Sequence, residues 1–376
     1  MSKKKPVVVY GASGYTGRLV CEYLREYGIP FVAAGRSKDK LDAAMKANVP
    51  GIETADYETV EVLHTAEALT ELFRGASVVL NTVGPFARFG PEVVQACLAA
   101  GCHYTDTTGE QDWLITCDEA YGAKFAEAGL LLSPGLAQMY TTGEIAAQLC
   151  LETPGLDTLD IAVFWGGSPT IASTQTILVN AATSRAFYLE QNQYKEWQPD
   201  AGLYTLSIPG QHETALALPW GGTSHPVWFR RDPRVANVKV LGGVFNKPLM
   251  LGVPQIVAAA LEATKDMDPE ARYAALAQTA AGVMNTMPPR ENPRINKSVD
   301  SVHASGPLGR AHCVIYGNCN YKQTGLLQAF AAATLLQQAP RRAGFASGCQ
   351  AFGHRELLGV LRSFGLVQPP LLTVQD

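Results

Sequence analysis

The sequence predicts an α/β fold, a doubly wound parallel sheet with a second α+β domain inserted into it. Three observations lead to this prediction. Strand-like and helical segments alternate through the first 135 residues, and a glycine-rich turn directly follows the first strand. The chain also has 376 residues, which exceeds what one hydrophobic core usually supports, so two domains are expected.

The first strand is the run Val7–Tyr10, which is apolar at consecutive positions, as burial on both faces requires. Further strands are predicted at 31–34, 51–55, 77–82, 103–106 and 130–133. Helices are predicted between them at 18–27, 38–46, 66–74, 91–100 and 111–128. Pro91 is expected at the start of its helix, where a missing N–H costs little. Regular alternation of strand and helix is typical of parallel sheets covered on both faces.

The turn after the first strand has the pattern G-x-x-G-x-x-G, with glycines at 11, 14 and 17. Gly11 allows a tight turn, Gly14 lets the backbone approach a pyrophosphate, and Gly17 lets the helix pack against the strand. The following helix N-terminus offers N–H groups and a positive dipole to phosphates. The strand–turn–helix context favours a dinucleotide-binding Rossmann domain, and a ligand-free glycine turn is the alternative.

Discrimination between NAD and NADP is expected after the second strand. NAD-binding domains place an acidic residue there, on the ribose 2′-hydroxyl. This chain has Gly35, Arg36 and Ser37 instead, and a guanidinium beside a hydroxyl suits a 2′-phosphate. The sequence therefore predicts NADP(H) as cofactor, with a solvated surface arginine as the alternative.

The segment 81–86, Asn-Thr-Val-Gly-Pro-Phe, lies at the carboxyl end of the fourth strand. Ligands of open α/β sheets bind beyond the carboxyl ends of the strands, so Gly84 and Pro85 are expected to hold backbone near the ribose and nicotinamide. An ordinary turn between strand and helix explains the same residues equally well.

Several classes of protein are disfavoured. No tyrosine is followed by lysine at the fourth position, no G-x-S-x-G elbow occurs, and the seven histidines show no metal-ligand spacing, so no metal site is expected. A net charge of −4 disfavours nucleic acid as a partner. The uncharged stretch 161–184 is broken by Gly166, Gly167 and Pro169, so no integral membrane segment is expected, and a cytoplasmic location is predicted by default.

The segments GASGYTGRLV (11–20), AGRS (34–37) and VLNTVGPFARFGPEVVQACLAAGCHYTDTTGE (79–110) resemble the saccharopine dehydrogenase-like oxidoreductases, a family that includes trans-acting enoyl reductases. The resemblance implies a Rossmann domain formed by 1–145 and 320–376. It implies an α+β substrate domain at 146–319, whose open sheet mediates homodimerisation. The residues implied to contact the dinucleotide are Gly11, Ser13, Gly14, Tyr15, Thr16, Gly17, Arg36 and Ser37. Those implied to face its nicotinamide half are Thr82, Val83, Gly84 and Pro85.

The middle region is rich in aromatic residues and poor in charge between 161 and 229. Its tryptophans are Trp165, Trp197, Trp220 and Trp228. Strands are predicted at 161–165, 204–208, 238–240 and 311–318, and helices at 254–265 and 269–284. This composition fits a pocket for a hydrophobic small-molecule substrate, and it fits an apolar dimer interface equally well.

The leading hypothesis is an NADPH-dependent reductase that transfers hydride to a C=C or C=O bond. Tyr140 follows the sixth strand and is the candidate proton donor, with a tyrosine packed at a hinge as the alternative. Two other functions stay open. One is a saccharopine-type dehydrogenase acting on the C–N bond of amino-acid substrates, and the other is a non-catalytic NADP-binding sensor or scaffold.

Overall fold

The computed structural model describes residues 4–183, 185–198, 202–219 and 223–375, so Trp220 lies outside the described residues. The chain divides into two compact units. The first unit contains Met1–Thr108, Trp113–Thr141 and Tyr321–Gly365. The second contains Gly109–Asp112, Thr142–Asn320 and Leu366–Asp376.

In chain order the strands are β1 (Val7–Tyr10), β2 (Phe31–Gly35), β3 (Tyr57–Glu61), β4 (Val78–Asn81), β5 (His103–Asp106), β6 (Leu131–Ser133), β7 (Thr158–Trp165), β8 (Phe187–Glu190), β9 (Gln193–Glu196), β10 (Tyr204–Ser207), β11 (Thr214–Ala217), β12 (Asn237–Val244), β13 (Lys297–Ser305), β14 (Arg310–Asn318), β15 (Gly344–Phe345) and β16 (Leu371–Gln375).

The α-helices are α1 (Tyr15–Glu26), α2 (Lys38–Asn48), α3 (Ala66–Phe73), α4 (Phe86–Ala100), α5 (Gln111–Thr116), α6 (Gly122–Glu127), α7 (Gln138–Cys150), α8 (Ile171–Thr183), α9 (His225–Phe229), α10 (Lys247–Thr264), α11 (Pro269–Val283), α12 (Asn320–Leu335), α13 (Gly348–Phe352) and α14 (His354–Ser363). In the part of the chain that the structure describes, no helix combines the length and the apolar composition that crossing a bilayer requires.

The first unit contains a seven-stranded parallel sheet in the order β15-β6-β5-β4-β1-β2-β3. Strands β1, β2 and β4 are buried at every position, which explains their continuous apolar runs. The order reverses at β1, whose neighbours are β2 and β4, so the crevice beyond β1 and β4 is the switch point at which such sheets bind ligands. The predicted doubly wound parallel sheet is confirmed.

Two details of this sheet differ from the prediction. Residues 51–55 do not form the third strand, because Gly51 adopts a left-handed conformation (φ 69°) and starts a 3-10 helix at Ile52–Thr54. The third strand is β3, an edge strand whose sequence YETVE is partly exposed. An edge strand needs no continuous apolar run, so neither 51–55 nor 57–61 carries the sequence pattern that marks a buried strand.

The predicted helix boundaries also shift. Helix α4 begins at Phe86, directly after Pro85, and Pro91 lies inside it rather than at its start. The predicted helix 111–128 is divided into α5, a π-helical turn at Cys117–Tyr121, and α6. Strand β15 was not predicted, since two residues are too few to produce a periodic pattern.

The second unit contains a mixed seven-stranded sheet in the order β16-β14-β13-β7-β12-β8-β9. Only β7 and β12 pair in parallel, and the other pairs are antiparallel. The hairpin of β10 and β11 packs Ile208, Ala215 and Ala217 against Phe164 and Val299 of the sheet. A second small core joins α8, α10 and α11 through Leu178, Ala260, Leu276 and Ala280. This mixed sheet with helices confirms the predicted second α+β domain.

The strands predicted at 161–165, 238–240 and 311–318 lie within β7, β12 and β14, which extend beyond the predicted bounds. The strand predicted at 204–208 is β10, which ends one residue earlier. The helix predicted at 269–284 is α11, whereas the helix predicted from Pro254 starts earlier and carries this proline inside α10. Strands β8, β9, β11, β13 and β16 were not predicted.

Candidate cofactor site

The glycine loop after β1 has the close packing that its pattern predicts. Gly11 has φ 91°, in the left-handed region. A Cβ atom on Gly17 would lie 2.4 Å from the carbonyl oxygen of Gly11 and 2.8 Å from the Cα of Ala12. Since both obstructing atoms belong to the backbone, only glycine allows α1 to pack this closely against the end of β1. Gly14 is the N-cap of α1 and, within the described residues, no side chain caps the helix.

The loop after β4 lies directly against the glycine loop. A Cβ atom on Gly11 would lie 2.6 Å from Thr82 Oγ1 and 2.8 Å from Val83 Cγ2. The Thr82 hydroxyl lies 3.0 Å from Tyr10 O and 3.1 Å from Gly11 O, so it donates its proton to the loop backbone. The structure therefore brings the predicted residues Gly11, Thr82 and Val83 together at the switch point of the sheet.

A cleft of about 340 Å³ lies beyond the ends of β2 and β3. Its lining residues are Arg36, Glu61, Val62, Leu63 and His64. Arg36 is exposed, and the Ser37 hydroxyl accepts a hydrogen bond from Lys40 N as the N-cap of α2. Glu61 Oε2 accepts a hydrogen bond of 2.8 Å from Lys38 N, at the same helix terminus. The cleft thus combines an exposed guanidinium with a carboxylate that is held against the start of α2.

His64 belongs to a further cluster next to this cleft. The hydroxyl of Tyr10 lies 2.8 Å from His64 Nδ1, and the two rings are stacked. His64 Nε2 lies 3.5 Å from Glu92 Oε2, and Phe89 packs edge-on against the imidazole. Burial raises the pKa of Tyr10 to about 12, so its hydroxyl stays protonated. These contacts fix His64 between β1 and α4.

Sequence reasoning missed Glu61 and His64. Glu61 is the last residue of β3 and His64 lies in the loop after it, but the third strand was predicted six residues too early. The usable signal was the aromatic and β-branched content of YETVE at 57–61, namely Tyr57, Thr59 and Val60, which is typical of a strand.

A buried carboxylate organises the strand ends on the other side of the switch point. Asp106, at the end of β5, is fully buried. Its Oδ2 accepts hydrogen bonds from the Tyr104 hydroxyl (2.7 Å) and from Trp113 Nε1 (3.0 Å). Its Oδ1 accepts them from the backbone N–H groups of Thr108 (2.9 Å) and Gly135 (2.8 Å). Burial raises the pKa of Asp106, and these four donors lower it in part.

This network continues to the loop after β4. Asn81 Nδ2 donates to the Tyr104 hydroxyl over 3.1 Å, and Asn81 Oδ1 accepts from Val83 N over 3.0 Å. Gln328 of α12 donates to the carbonyl oxygens of Asp106 and Leu136, at 2.9 Å and 2.8 Å. The loops after β4, β5 and β6 are therefore held by one connected set of buried hydrogen bonds.

Three further predicted residues lie at the starts of α4 and α7. Gly84 and Pro85 connect β4 to α4, and Pro85 is the N-cap of that helix. Tyr140 lies in the first turn of α7 and is half-buried, and its N–H donates to Ala137 O over 3.1 Å. Among the described residues, no three His, Cys, Asp or Glu side chains form a group that could hold a metal ion.

The site fits a dinucleotide. Gly11 and Gly17 keep open the space that a Cβ atom would fill, and the uncapped start of α1 offers N–H groups to phosphate oxygens. The family model described as saccharopine dehydrogenase NADP binding domain matches residues 7–130. The first unit is therefore an NADP-binding Rossmann domain that resembles the corresponding domain of saccharopine dehydrogenases.

A second family model covers the larger part of the chain. It matches residues 141–376 and is described as a family of unknown function (DUF5938). The chain belongs to this family.

Curated relatives match only part of this chain. A Caenorhabditis elegans lipid droplet localized protein is 36% identical over 33% of this chain and 31% of its own length. A human saccharopine dehydrogenase-like oxidoreductase is 32% identical over 34% of this chain and 32% of its own length. A Mycobacterium tuberculosis protein, provisionally named a trans-acting enoyl reductase, is 34% identical over 33% of this chain and 30% of its own length. The match thus spans about a third of each relative.

A solved structure resembles nearly the whole chain. Apo saccharopine dehydrogenase (L-Glu forming) from Saccharomyces cerevisiae aligns with a TM-score of 0.60, and the alignment covers 98% of this chain and 100% of the yeast chain. Their sequences are 12% identical, so the likeness shows a shared fold.

Proposed function

We propose that this protein is an NADPH-dependent reductase that transfers hydride to a C=C or C=O bond of a hydrophobic small molecule. The observation that carries the NADPH part is the cleft at the end of β2, where Arg36 is exposed beside the start of α2. NADPH bound at the glycine loop would supply the hydride. The relative named as an enoyl reductase and the low charge of 161–229 support the type of substrate.

In this proposal the predicted site residues act in three groups. The residues that bind the pyrophosphate and the adenosine are Gly11, Ser13, Gly14, Tyr15, Thr16 and Gly17. Arg36 and Ser37 bind the 2′-phosphate, because a guanidinium forms strong charge-assisted hydrogen bonds to phosphate oxygens. The residues that face the nicotinamide half of the dinucleotide are Thr82, Val83, Gly84 and Pro85.

The hydrogen-bond network around Asp106 has a positioning role in the proposal. It holds the loops after β4, β5 and β6, so the backbone that faces the nicotinamide needs little reorganisation on binding. Tyr140 is proposed as the proton donor, since reduction of a polarised double bond also takes up a proton. We further propose that the predicted segments 1–145 and 320–376 bind the cofactor, except for Leu366–Asp376, which belong to the second unit. With 146–319, they would form the part that binds substrate and mediates dimerisation. A cytoplasmic location is also proposed.

Cofactor binding is tested first, by titrating the purified protein with NADPH and NADH. We expect tighter binding of NADPH, and Arg36→Ala should weaken it about 10- to 100-fold, the range expected for a lost charge-assisted hydrogen bond, while leaving NADH binding unchanged. Arg74→Ala is the matched control, because it removes an exposed arginine at the C-cap of α3. Equal binding of both nucleotides by the unchanged protein would overturn the NADPH assignment.

Glu61→Gln tests in the same titration whether the 2′-phosphate binds beside Arg36. The substitution keeps an oxygen acceptor for Lys38 N and removes a negative charge from the cleft. If the 2′-phosphate binds beside Arg36, it should increase NADPH affinity and leave NADH affinity unchanged. A decrease in NADPH affinity would place the phosphate elsewhere.

Activity is tested by following NADPH oxidation with enones and enoyl thioesters, and separately with 2-oxo acids plus amino acids. Turnover of the first set that falls in Tyr140→Phe supports the proposal and the role of Tyr140. Turnover of the second set alone would support the saccharopine-type alternative. Tight NADPH binding without turnover of either set would favour the sensor or scaffold.

A further inference from the structure

The cleft that contains Arg36 has a charge balance that depends on His64. Arg36 and Glu61 both line this cleft, which belongs to the first unit. His64 lines it as well, and Glu92 Oε2 lies 3.5 Å from His64 Nε2. While His64 is neutral, the two carboxylates outweigh the one guanidinium. A phosphate dianion is disfavoured by an excess of negative charge, and protonation of His64 would remove that excess.

The imidazole of His64 is held in place in both of its protonation states. The Tyr10 hydroxyl lies 2.8 Å from Nδ1, and it can donate to a neutral ring or accept from an Nδ1–H group. Burial raises the pKa of Tyr10 to about 12, so this hydroxyl keeps its proton over the range in which histidine titrates. The Tyr10 ring lies parallel to the imidazole within 9°, and Phe89 packs edge-on against it. Protonation therefore changes the charge of His64 and leaves its position fixed.

The other ring nitrogen of His64 faces a carboxylate. Within the described part of the chain, Nε2 has no hydrogen-bond partner, because 3.5 Å to Glu92 Oε2 exceeds the length of an N–H···O bond. Both of these atoms are buried, so a ligand in the cleft does not touch Nε2 directly. A positive charge on the ring would offset the Glu92 carboxylate, and less of the charge of Arg36 would then be opposed. His64 thus acts on a bound anion through its charge.

The other charged groups around His64 do not provide such a change near neutral pH. Lys38 Nζ is paired with Asp42 Oδ2 at 3.2 Å, on α2. Glu67 lies in the first turn of α3, which begins two residues after His64, and the guanidinium of Arg88 lies 5.7 Å from the Phe89 ring centroid. Histidine is the side chain that ordinarily changes its charge between about pH 5 and 8, whereas lysine, arginine and the carboxylates do not.

We propose that His64 is a specificity-determining residue for the 2′-phosphate, and that its protonation strengthens the binding of NADP(H) relative to NAD(H). This inference rests on the proposed function, because it takes Arg36 as the residue that binds the 2′-phosphate. It goes further by making the discrimination between the two nucleotides depend on pH. NAD(H) has a hydroxyl in place of this phosphate, so the charge of His64 should affect its binding little.

The test is a titration of the whole chain with NADP⁺ and NAD⁺ at about pH 6 and about pH 8. For each protein, the measured quantity is the ratio of the NADP⁺ affinity at the lower pH to that at the higher pH. We expect this ratio to be at least about threefold larger in the unchanged protein than in His64→Gln, because only the unchanged protein gains a charge at the cleft. The 2′-phosphate itself takes up a proton near pH 6, which affects both proteins alike and cancels in the comparison.

Two further variants accompany His64→Gln, and circular dichroism checks that each is folded. His64→Lys keeps a positive charge at both pH values, so its NADP⁺ affinity at the higher pH should exceed that of the unchanged protein. His212→Gln removes an exposed histidine of the second unit and is the matched control, which should keep the full pH dependence.

Two results overturn the inference and leave the proposed function standing. One is the same pH dependence of NADP⁺ binding in His64→Gln as in the unchanged protein. The other is an equal loss of NADP⁺ and NAD⁺ affinity in His64→Gln, which would place His64 against the adenosine that both nucleotides share. If the unchanged protein binds NADP⁺ and NAD⁺ equally at both pH values, the NADPH assignment itself is wrong, and the inference fails with it.

Discussion

The two seven-stranded sheets place opposite demands on their residues. Strands β1, β2 and β4 of the first unit are buried at every position, whereas β16 of the second unit is exposed at every position. In these three buried strands, an added atom meets a neighbour and a polar group needs a hydrogen-bond partner. In the second sheet, Asp160 and His303 are exposed on cross-paired strands. The comparison indicates that the same kind of substitution lowers the free energy of unfolding more at a buried strand of the first sheet than at an exposed position of the second.

The largest effect is expected from Gly17→Ala. Its Cβ would lie 2.4 Å from a backbone oxygen, so α1 must move away from β1. We expect a loss of about 3 kcal/mol or more in the free energy of unfolding, and at least a hundredfold weaker NADPH binding. Denaturant unfolding and nucleotide titration measure the two losses.

The control for this prediction is Gly359→Ala. Gly359 lies within α14 of the same unit, and a Cβ there meets nothing within 4 Å. It should be neutral or stabilise by up to about 1 kcal/mol, because alanine favours the helix. Equal stability of the two variants would show that the close approach of α1 to β1 is not required.

The second prediction compares two aspartates. Asp106→Asn replaces one of two carboxylate oxygens with an NH₂ group that faces existing donors. We expect a loss of about 2–3 kcal/mol in the free energy of unfolding. Asp160→Asn, on an exposed position of β7, should change it by less than about 0.5 kcal/mol. A loss at Asp160 that equals the loss at Asp106 would contradict the contrast between the sheets.

The smallest effect concerns two histidines. Burial lowers the pKa of His103, whose Nδ1 accepts a hydrogen bond from Leu131 N. Burial and the neighbouring His303, whose ring stacks at 3.8 Å, lower the pKa of His312. Both folded values lie below the ordinary 6.5, so the unfolded chain binds more protons below that pH. The free energy of unfolding should therefore fall as the pH drops from 6.5 toward the folded values.

Titration by NMR separates the effect of burial on the pKa of His312 from the effect of His303. His303→Gln should raise the pKa of His312, because it removes a neighbouring charge, and should leave that of His103 unchanged. If neither value moves, the stacked pair does not interact electrostatically.

Most of the first unit was predictable because its strands, turns and helices are specified by residues that are adjacent in the sequence. A glycine turn between an apolar strand and a helix defines the dinucleotide loop, and the observed contacts of Gly11 and Gly17 match that reading. The third strand was placed wrongly because an edge strand lacks the apolar run that marks a buried one. Glu61 and His64 were missed for the same reason. They line this cleft at the end of β3 and in the loop after it, so the sequence identifies them only when β3 is predicted at its correct position.

The sequence by itself determined the parallel sheet, the position of the glycine loop and the absence of an acid after β2, because each depends on a few adjacent residues. Only the tertiary structure decided which distant residues complete the site. Gln328 reaches Thr105 and the Asp106 carbonyl across 223 and 222 positions, and Asn81 reaches Asp106 through Tyr104. It also decided that β16 lies at the end of the strand order of the second sheet, since strand order follows from pairing between distant segments, which no local pattern encodes.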